Sequence, residues 1–377
     1  MTHEFDVLVL GAGVARVSAT VTAPGRGVAG GAVDGGPGGT AICAEKWRGN
    51  IPAGLADALA GCGHALVPVS APLGHPSGGL YRCGHAPASH AGAVLEDGAL
   101  VCGIVGLPGF PARGLAASWG ALAGVALDSA VVELEGGTPP GGWSPASLAS
   151  ALERDAARLG APLARAARES GATRVILPAV LGLAPGNGLR GALSEAAGVP
   201  VGEALGVPPS LPGVRLRQAL EAALERAGAT IVLGRAVAGL EAEGRLVEVA
   251  LEGGGAARAR AFVLATGKFA GGGITGSGGI HETVLGCPVA LGDGTAAPTD
   301  WHPLALTRPE RDAEHPLLRV GVRVDDEGRP LDRRGSPQFD NVWAAGTVVA
   351  GTRTDELGLG DAAVAGWRAG ERAAEAV

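Results

Sequence analysis

The chain has 377 residues, enough for two domains or for one domain with a large insertion. Its formal net charge of −7 and its scattered arginines argue against a nucleic-acid-binding surface. Five cysteines without a CxxC pair argue against a secreted disulfide framework, and no apolar run reaches the roughly 18 residues of a transmembrane helix.

The beginning of the chain predicts a dinucleotide-binding turn. An apolar strand (FDVLVL) runs into GAGVAR, and a helix-length segment and a second short strand then lead to Asp34. Gly11 turns the chain, and Gly13 lets a pyrophosphate approach the backbone at a helix N-terminus. Asp34 lies where a carboxylate can accept hydrogen bonds from a ribose. This arrangement is typical of flavoproteins of the glutathione-reductase type.

Three departures keep an ordinary strand–turn–helix open as the alternative. Arg16 replaces the third glycine of the fingerprint, which normally lets helix and strand pack closely. Pro24 falls inside the predicted helix, and Gly30 and Gly31 are poor strand formers.

Farther along the chain, apolar strands alternate with amphipathic helices, which predicts parallel α/β structure. Residues 99–136 read as strand, helix and strand, and residues 145–170 as one helix that begins after the N-cap Ser144. A helix over 214–228 ends at Gly228.

The last third predicts strands that end on glycine. A strand over 260–265 leads into Thr266 and Gly267, and another leads into Gly346 before a helix that begins near Gly360. In a two-part flavin domain these sites converge with Gly11, and the final helix N-terminus can face negative charge on the flavin. The predicted cofactor-binding residues are Gly11, Gly13, Asp34, Gly39, Thr40, Val237, Thr266, Gly267, Gly346, Gly360 and Asp361.

These features predict a Rossmann-like, two-part FAD/NAD(P)-binding domain of the glutathione-reductase type with an inserted α/β domain. We assign residues 1–95, 229–270 and 341–377 to the flavin-binding domain and 96–228 to the insertion. Residues 271–340 are expected to form a cap or substrate-side segment.

One cluster of possible metal ligands precedes the insertion. It comprises Cys62, His64, His75, Cys83, His85 and His90. Structural zinc sites usually show wider spacing within each ligand pair, so we favour a loop rich in Gly, Pro and His and expect no metal.

Six stretches carry a resemblance to a known family. They are FDVLVLGAG, VCGIVGLPGF, ILPAVLGL, VPPSLPGVRLRQAL, FVLATGKFAGGGI and NVWAAGTVVAG. With them the chain resembles the B-type subunits of the anaerobic glycerol-3-phosphate dehydrogenases, whereas its tail run TRTDELGLGD departs from that family's pattern.

The resemblance implies a flavin, either FAD or FMN, and the oxidation of sn-glycerol 3-phosphate to dihydroxyacetone phosphate. It further implies that electrons reach the quinone pool through partners: a catalytic A-type subunit and a membrane-anchored iron–sulfur subunit. We therefore expect a cytoplasmic protein that can lie at the inner face of the membrane through a partner.

The predicted catalytic residues are His281, His302 and Arg353. A histidine can accept the hydroxyl proton or contact a phosphate, and Arg353 lies near the expected flavin ring. The alternative for each histidine is a position in a surface loop. Lys268, directly after the strand, can reach a phosphate or a flavin oxygen, and its alternative is a side chain that extends to solvent. Two other functions stay open: another FAD-dependent oxidoreductase on this fold, and a non-catalytic, flavin-carrying or structural subunit.

Overall fold

The computed structural model describes residues 2–11, 13–25, 27–34, 47, 50–207, 210–298, 303–310, 313–352 and 359–377. The helices are α1 (Val14–Gly25), α2 (Ala53–Gly61), α3 (Ala88–Ala91), α4 (Ala112–Ala123), α5 (Pro145–Arg154), α6 (Ala157–Ser170), α7 (Leu189–Ala197), α8 (Leu211–Arg226), α9 (Pro303–Leu306) and α10 (Leu359–Glu375), with 3₁₀ turns at Pro316–Arg319 and Gly346–Val348.

The strands fall into two larger sheets and several short pairs. They are β1 (Thr2–Leu10), β2 (Gly30–Asp34), β3 (Leu66–Pro68), β4 (Leu73–Gly74), β5 (Leu80–Tyr81), β6 (His85–Pro87), β7 (Ala99–Ile104), β8 (Leu127–Val132), β9 (Arg174–Leu177), β10 (Val201–Glu203), β11 (Thr230–Leu233), β12 (Ala236–Ala242), β13 (Arg245–Leu251), β14 (Ala256–Leu264), β15 (Ile274–Thr275), β16 (His281–Glu282), β17 (Val289–Ala290), β18 (Gly321–Val322) and β19 (Val342–Ala344).

The described residues divide into two compact units. The first contains those within 1–40, 49–55 and 220–377, and the second those within 41–48 and 56–219. Residues 56–95, which the sequence assigns to the flavin-binding segments, fall in the second unit. One of their contacts within that unit is the hydrogen bond from Leu205 N to Gly74 O, at 3.0 Å. The roles assigned to the three predicted segments stay predictions.

A seven-stranded sheet organises the first unit, in the order β11-β2-β1-β14-β13-β12 with β19 beside β14. Strands β11, β2, β1, β14 and β19 pair in parallel, and β12 and β13 continue the sheet in antiparallel fashion. Helix α1 follows β1 and packs beside it. This α/β topology confirms the predicted Rossmann-like fold.

One face of this sheet is covered by α1 and α10, which meet through small residues. A Cβ atom on Gly366 would lie 2.2 Å from the carbonyl oxygen of Ala15, so only glycine permits this approach. Ser18 Oγ donates to the carbonyl oxygen of Ala363 at 2.7 Å and joins the two helices. The alanine- and glycine-rich composition thus serves close helix packing rather than a bulky aromatic core.

Close packing also explains a glycine in β2. A Cβ atom on Gly31 would lie 2.5 Å from the ring of Phe5, so the missing side chain makes room for that ring. Pro24 does not interrupt α1 in its middle, because the helix ends one residue later, at Gly25.

The second unit is built on a parallel sheet in the order β10-β9-β7-β8. Helix α4 covers one face through Trp119, and α5, α6 and α7 cover the other with their leucines. The chain passes from β7 to its neighbour β8 on one side and then crosses back to β9 and β10 on the other side of β7. This reversal of direction is typical of doubly wound folds.

The single helix predicted for residues 145–170 is wrong. Asp155 is extended (φ −154°) and separates α5 from α6. The predicted N-cap is confirmed, because Ser147 N donates to Ser144 Oγ at 3.1 Å. Across the described ranges, no helix combines the length and apolar character needed to cross a membrane.

Candidate flavin site

The carboxyl ends of three parallel strands meet at one edge of the large sheet. Ala265 N, just after β14, donates to Leu10 O of β1 at 2.8 Å. Ala345 N, just after β19, donates to Leu264 O of β14 at 3.0 Å. The turns that contain Gly11, Gly267 and Gly346 therefore begin side by side, although more than 300 residues of chain separate the first from the last. Ligands of open parallel sheets bind at such edges.

Glycine is required where these turns touch. Gly11 has a φ of +142°, and a Cβ atom there would lie 2.1 Å from Ala265 O. Gly346 has a φ of +76°, and its Cβ would lie 2.9 Å from the Cβ of Ala15. At Gly11 the backbone of one strand end touches the backbone of another, and at Gly346 the missing side chain makes room for the Cβ of Ala15, so both turns depend on glycine.

Thr266 carries an unsatisfied polar atom at this edge. Its Oγ1 is buried and has no hydrogen-bond partner among the described residues. A buried hydroxyl without a partner is costly, so such atoms usually mark a missing ligand or water. The glycine turns and this hydroxyl together fit a flavin bound at the strand ends.

Asp34, the predicted ribose contact, is paired with the residue that departs from the fingerprint. Arg16 Nη1 lies 2.9 Å from Asp34 Oδ2, and the two side chains are only 2% and 5% exposed. This contact takes up part of the roughly four acceptor positions that a carboxylate offers. Sequence reasoning treated Arg16 as lost packing and missed the ion pair. A cation at the third fingerprint position, facing an acidic end of the second strand, was the available signal.

Four of the other predicted cofactor residues lie in described parts of the first unit. Gly13 precedes α1 and accepts from Val17 N at 3.2 Å, which places it in the N-terminal turn of that helix. Val237 is 44% exposed on β12. Gly360 is buried in the first turn of α10, whereas Asp361 is exposed and already supplies negative charge to that helix N-terminus. Gly39, Thr40, His302 and Arg353 lie outside the described residues.

The loop after Gly267 leads to His281, one of the predicted catalytic residues. Gly273 packs against Thr266, because its Cβ would lie 2.3 Å from Thr266 Oγ1. From there β15 pairs with β16, with Thr275 opposite His281. His281 therefore lies on a β-hairpin that follows the Gly267 loop directly in the chain.

His281 lines a cavity of about 410 Å³ in the first unit, together with Arg323, Asp332 and Arg333. Its Nδ1 lies 3.1 Å from the carbonyl oxygen of Gly279. In a neutral ring, Nδ1–H donates to that carbonyl, which leaves Nε2 as a proton acceptor. The cavity therefore combines a possible base with two guanidinium groups.

Three further ionisable groups near His281, those of Glu282, Cys287 and Asp332, are buried or held by hydrogen bonds to backbone N–H groups. The Glu282 carboxylate accepts from Val284 N at 2.9 Å and Leu285 N at 2.7 Å; burial raises its pKa, although these hydrogen bonds oppose the shift. Burial, and then the charge of Glu282, raise the pKa of the Cys287 thiol, so this thiol stays protonated and is not a nucleophile. The Ser336 N–H holds the pKa of Asp332 below its usual range.

Lys268 does not reach solvent. Its side chain is buried, and its Nζ donates to Leu318 O at 2.6 Å and to Thr352 O. The ammonium therefore ties the segment after β14 to two later loops. Within the parts of the chain that the structure covers, no three His, Cys, Asp or Glu side chains are grouped to hold a metal ion.

The chain belongs to the FAD binding domain family, whose model matches residues 126–356, more than half of the sequence. Its cofactor is accordingly a flavin. The matched region includes β14, Thr266 and Gly346 but begins after the N-terminal turn. The match assigns no role to single residues, so the roles of all the predicted cofactor-binding residues stay predictions.

Two curated relatives confirm the resemblance. The probable anaerobic glycerol-3-phosphate dehydrogenase B-type subunit of Halobacterium salinarum is 37% identical over 215 residues, which cover 55% of this chain and 48% of the relative. The B-type subunit of the anaerobic glycerol-3-phosphate dehydrogenase of Yersinia pestis is 32% identical over 198 residues, which cover 51% and 43%. The chain thus spans about half the length of the curated relatives it matches.

Solved structures are more distant. The 3-ketosteroid delta1-dehydrogenase of Sterolibacterium denitrificans aligns over 100% of both chains with 13% identity and a TM-score of 0.45. The 3-ketosteroid-delta4-(5alpha)-dehydrogenase of Rhodococcus jostii RHA1 aligns over 99% of this chain and 97% of its own, with 14% identity and a TM-score of 0.39. Similarity at this level carries no argument about the substrate.

Proposed function

We propose that this flavin-dependent oxidoreductase is one component of a dehydrogenase and oxidises sn-glycerol 3-phosphate to dihydroxyacetone phosphate. The observation that carries the proposal is the meeting of three glycine-bearing strand ends around the unpaired hydroxyl of Thr266. Similarity to the B-type relatives supports the choice of substrate.

The alcohol oxidation needs an acceptor for two electrons and an acceptor for a proton. A bound flavin supplies the acceptor for the hydride that leaves the carbinol carbon. His281 takes the hydroxyl proton at Nε2, because its Nδ1 is directed at the carbonyl of Gly279. Loss of the hydride and the proton converts the secondary alcohol to the ketone.

Arg323 and Arg333 provide the contacts for the substrate phosphate. Both line the cavity that contains His281, and a guanidinium binds a phosphate through two parallel N–H donors. Asp332 also lines this cavity, but its Oδ1 accepts from Arg334 N at 2.8 Å and Ser336 N at 2.9 Å. These hydrogen bonds stabilise the negative charge of Asp332 locally, within residues 332–336.

The wider assembly is part of the same proposal. An A-type catalytic subunit and a membrane-anchored iron–sulfur subunit would pass the electrons to the quinone pool. The chain would then lie in the cytoplasm, at the inner face of the membrane when bound to those partners.

A non-catalytic, flavin-carrying subunit is the second candidate. The observation that favours it is that His281, the proposed base, is exposed to solvent on its hairpin rather than enclosed beside a cofactor. In that case an A-type subunit would carry out the oxidation, and this chain would bind flavin without reacting with the substrate by itself.

The test is anaerobic reduction of the flavin in the purified, flavin-loaded chain. Addition of sn-glycerol 3-phosphate should bleach the flavin absorption, and His281→Gln should slow the bleaching by about 100-fold, the usual contribution of a general base. The matched control is His3→Gln, at the opposite end of β1, which should bleach at the wild-type rate.

The two candidates separate in the same experiment. Bleaching by the chain alone supports the enzyme, whereas bleaching that requires an A-type subunit supports the carrier. Flavin that bleaches only with a different alcohol, or that bleaches equally fast in His281→Gln, overturns the assignment of substrate or base.

A further inference from the structure

A second cavity lies wholly within the second unit and has no part in the flavin site. Its volume is about 340 Å³, at the lower end of the range for small-molecule pockets. It is lined by the loop after α2, the beginning of α3, the loop between β9 and α7, and Arg215 of α8.

This cavity is cationic. Its polar side chains include Arg190, Arg215, His64 and Asn187, and no carboxylate stands among its described lining residues. Arg215 and His64 are each only 5% exposed. A buried guanidinium beside a void, with a second, half-buried one next to it, is the chemistry that proteins use for phosphates.

Glu203 holds the buried guanidinium of Arg215 in place. Arg215 Nη2 donates to Glu203 Oε1, and Arg215 Nη1 donates to Gly182 O at 2.8 Å. Glu203 Oε2 accepts from Leu181 N at 3.0 Å, so the same carboxylate also holds the loop after β9. Glu203 balances the charge of Arg215, and a second carboxylate, Glu153, accepts from Leu183 N at 2.8 Å and Ala184 N at 3.2 Å in the same loop. Arg190 is the guanidinium in the lining that is left to meet a ligand.

The α7 N-terminus adds to this charge. Asn187 Oδ1 accepts from Leu189 N at 2.9 Å, and its Nδ2 donates to Ala184 O at 2.7 Å, which shapes the loop into a helix start. The next N–H groups, on Arg190 and Gly191, have no acceptor within the helix, and both residues line the cavity.

The cavity also lies where ligands bind in doubly wound sheets. Leu177 and Glu203 are the last residues of the parallel strands β9 and β10, and the lining loop 181–191 follows β9. It is therefore at the carboxyl edge of the sheet.

We propose that this cavity binds the phosphate group of a small phosphomonoester, held by Arg190, Arg215 and the α7 N-terminus. The inference is independent of the flavin assignment, because every residue that carries it belongs to the second unit.

The test is isothermal titration of the full chain with inorganic phosphate, sn-glycerol 3-phosphate and glycerol. The titrations are made in an Arg323→Ala background, which weakens the phosphate contact proposed for the cavity that contains His281. We expect both phosphates to bind at the second-unit cavity with a stoichiometry of one and glycerol not to bind. Arg190→Ala should weaken phosphate binding about tenfold, as expected from the loss of a charged hydrogen bond. Arg190→Lys should recover part of the loss by restoring the charge. Arg168→Ala, an exposed position on α6 outside the cavity, is the matched control and should bind like the wild type.

The outcomes decide the proposal. Stronger binding of sn-glycerol 3-phosphate than of inorganic phosphate indicates an organic phosphate ester as the ligand, whereas equal binding indicates that the phosphate group alone is recognised. Absence of phosphate binding, equal affinity in Arg190→Ala, or an equal loss in Arg168→Ala overturns the site. Circular dichroism of each variant excludes unfolding as the cause.

Discussion

Removal of one member of the buried ion pair between Arg16 and Asp34 is expected to destabilise the fold much more than removal of both. The two side chains are almost fully buried, and their charged atoms are 2.9 Å apart. Replacement of one member takes this close counter-charge away from the other, which stays buried. We therefore expect Arg16→Met or Asp34→Asn to lower the free energy of unfolding by about 3–5 kcal/mol each.

The double variant should lose much less than the sum of the two single losses. With both charges removed, neither member of the pair is left buried without the other, so the coupling free energy should reach about 2 kcal/mol or more. Urea unfolding of the wild type, both single variants and the double variant measures this coupling directly.

An exposed pair provides the matched control. Arg258 Nε lies 2.7 Å from Glu248 Oε2, but the Arg258 side chain is 57% exposed. Arg258→Met should change the free energy of unfolding by at most about 1 kcal/mol, because solvent screens the pair. Additive effects of the Arg16 and Asp34 changes, within about 0.5 kcal/mol, would refute the reasoning.

Three further predictions concern packing, reactivity and pH. Gly11→Ala should abolish flavin retention, because its Cβ would lie 2.1 Å from the Ala265 carbonyl oxygen; Gly253→Ala, also at positive φ (+83°) but in open space, should retain flavin. Burial raises the pKa of Cys102 to about 12, so mass spectrometry after iodoacetamide treatment at neutral pH should find it unmodified until urea unfolds the chain, and rapid labelling of the native protein would contradict this. Because burial raises the pKa of Glu282 above 4.5, its stabilising contribution should be complete below that pH and be lost as pH rises through the folded pKa; urea unfolding of Glu282→Gln should lack this loss, and parallel pH profiles would count against it.

Much of the fold could be predicted because its signals are local. The strand before Gly11 and the N-cap at Ser144 depend on residues that are neighbours in sequence, and both are present as predicted. Convergence of the turns at Gly11, Gly267 and Gly346 followed from a general property of parallel sheets, whose strand ends share an edge.

The features that sequence reasoning missed depend on distant contacts. Gly31 appeared unsuited to a strand because nothing local reveals the ring of Phe5 packed against it. The division of the predicted helix at Asp155 was also missed, because no glycine or proline lies at the break. Lys268 appeared free to reach solvent, whereas carbonyl groups 50 and 84 residues later bind it.

Thr266 offers the most direct test of the flavin site. Valine has the same shape but lacks the buried hydroxyl, which has no protein partner within the described structure. The measurement is an equilibrium titration of flavin-free wild type and Thr266→Val with FAD and with FMN, followed by flavin fluorescence. We predict one bound flavin per chain and clearly weaker binding by the variant, with stability unchanged or raised by about 1 kcal/mol. Equal flavin affinity in the two proteins, or a wild type that takes up no flavin, would contradict a cofactor at these strand ends.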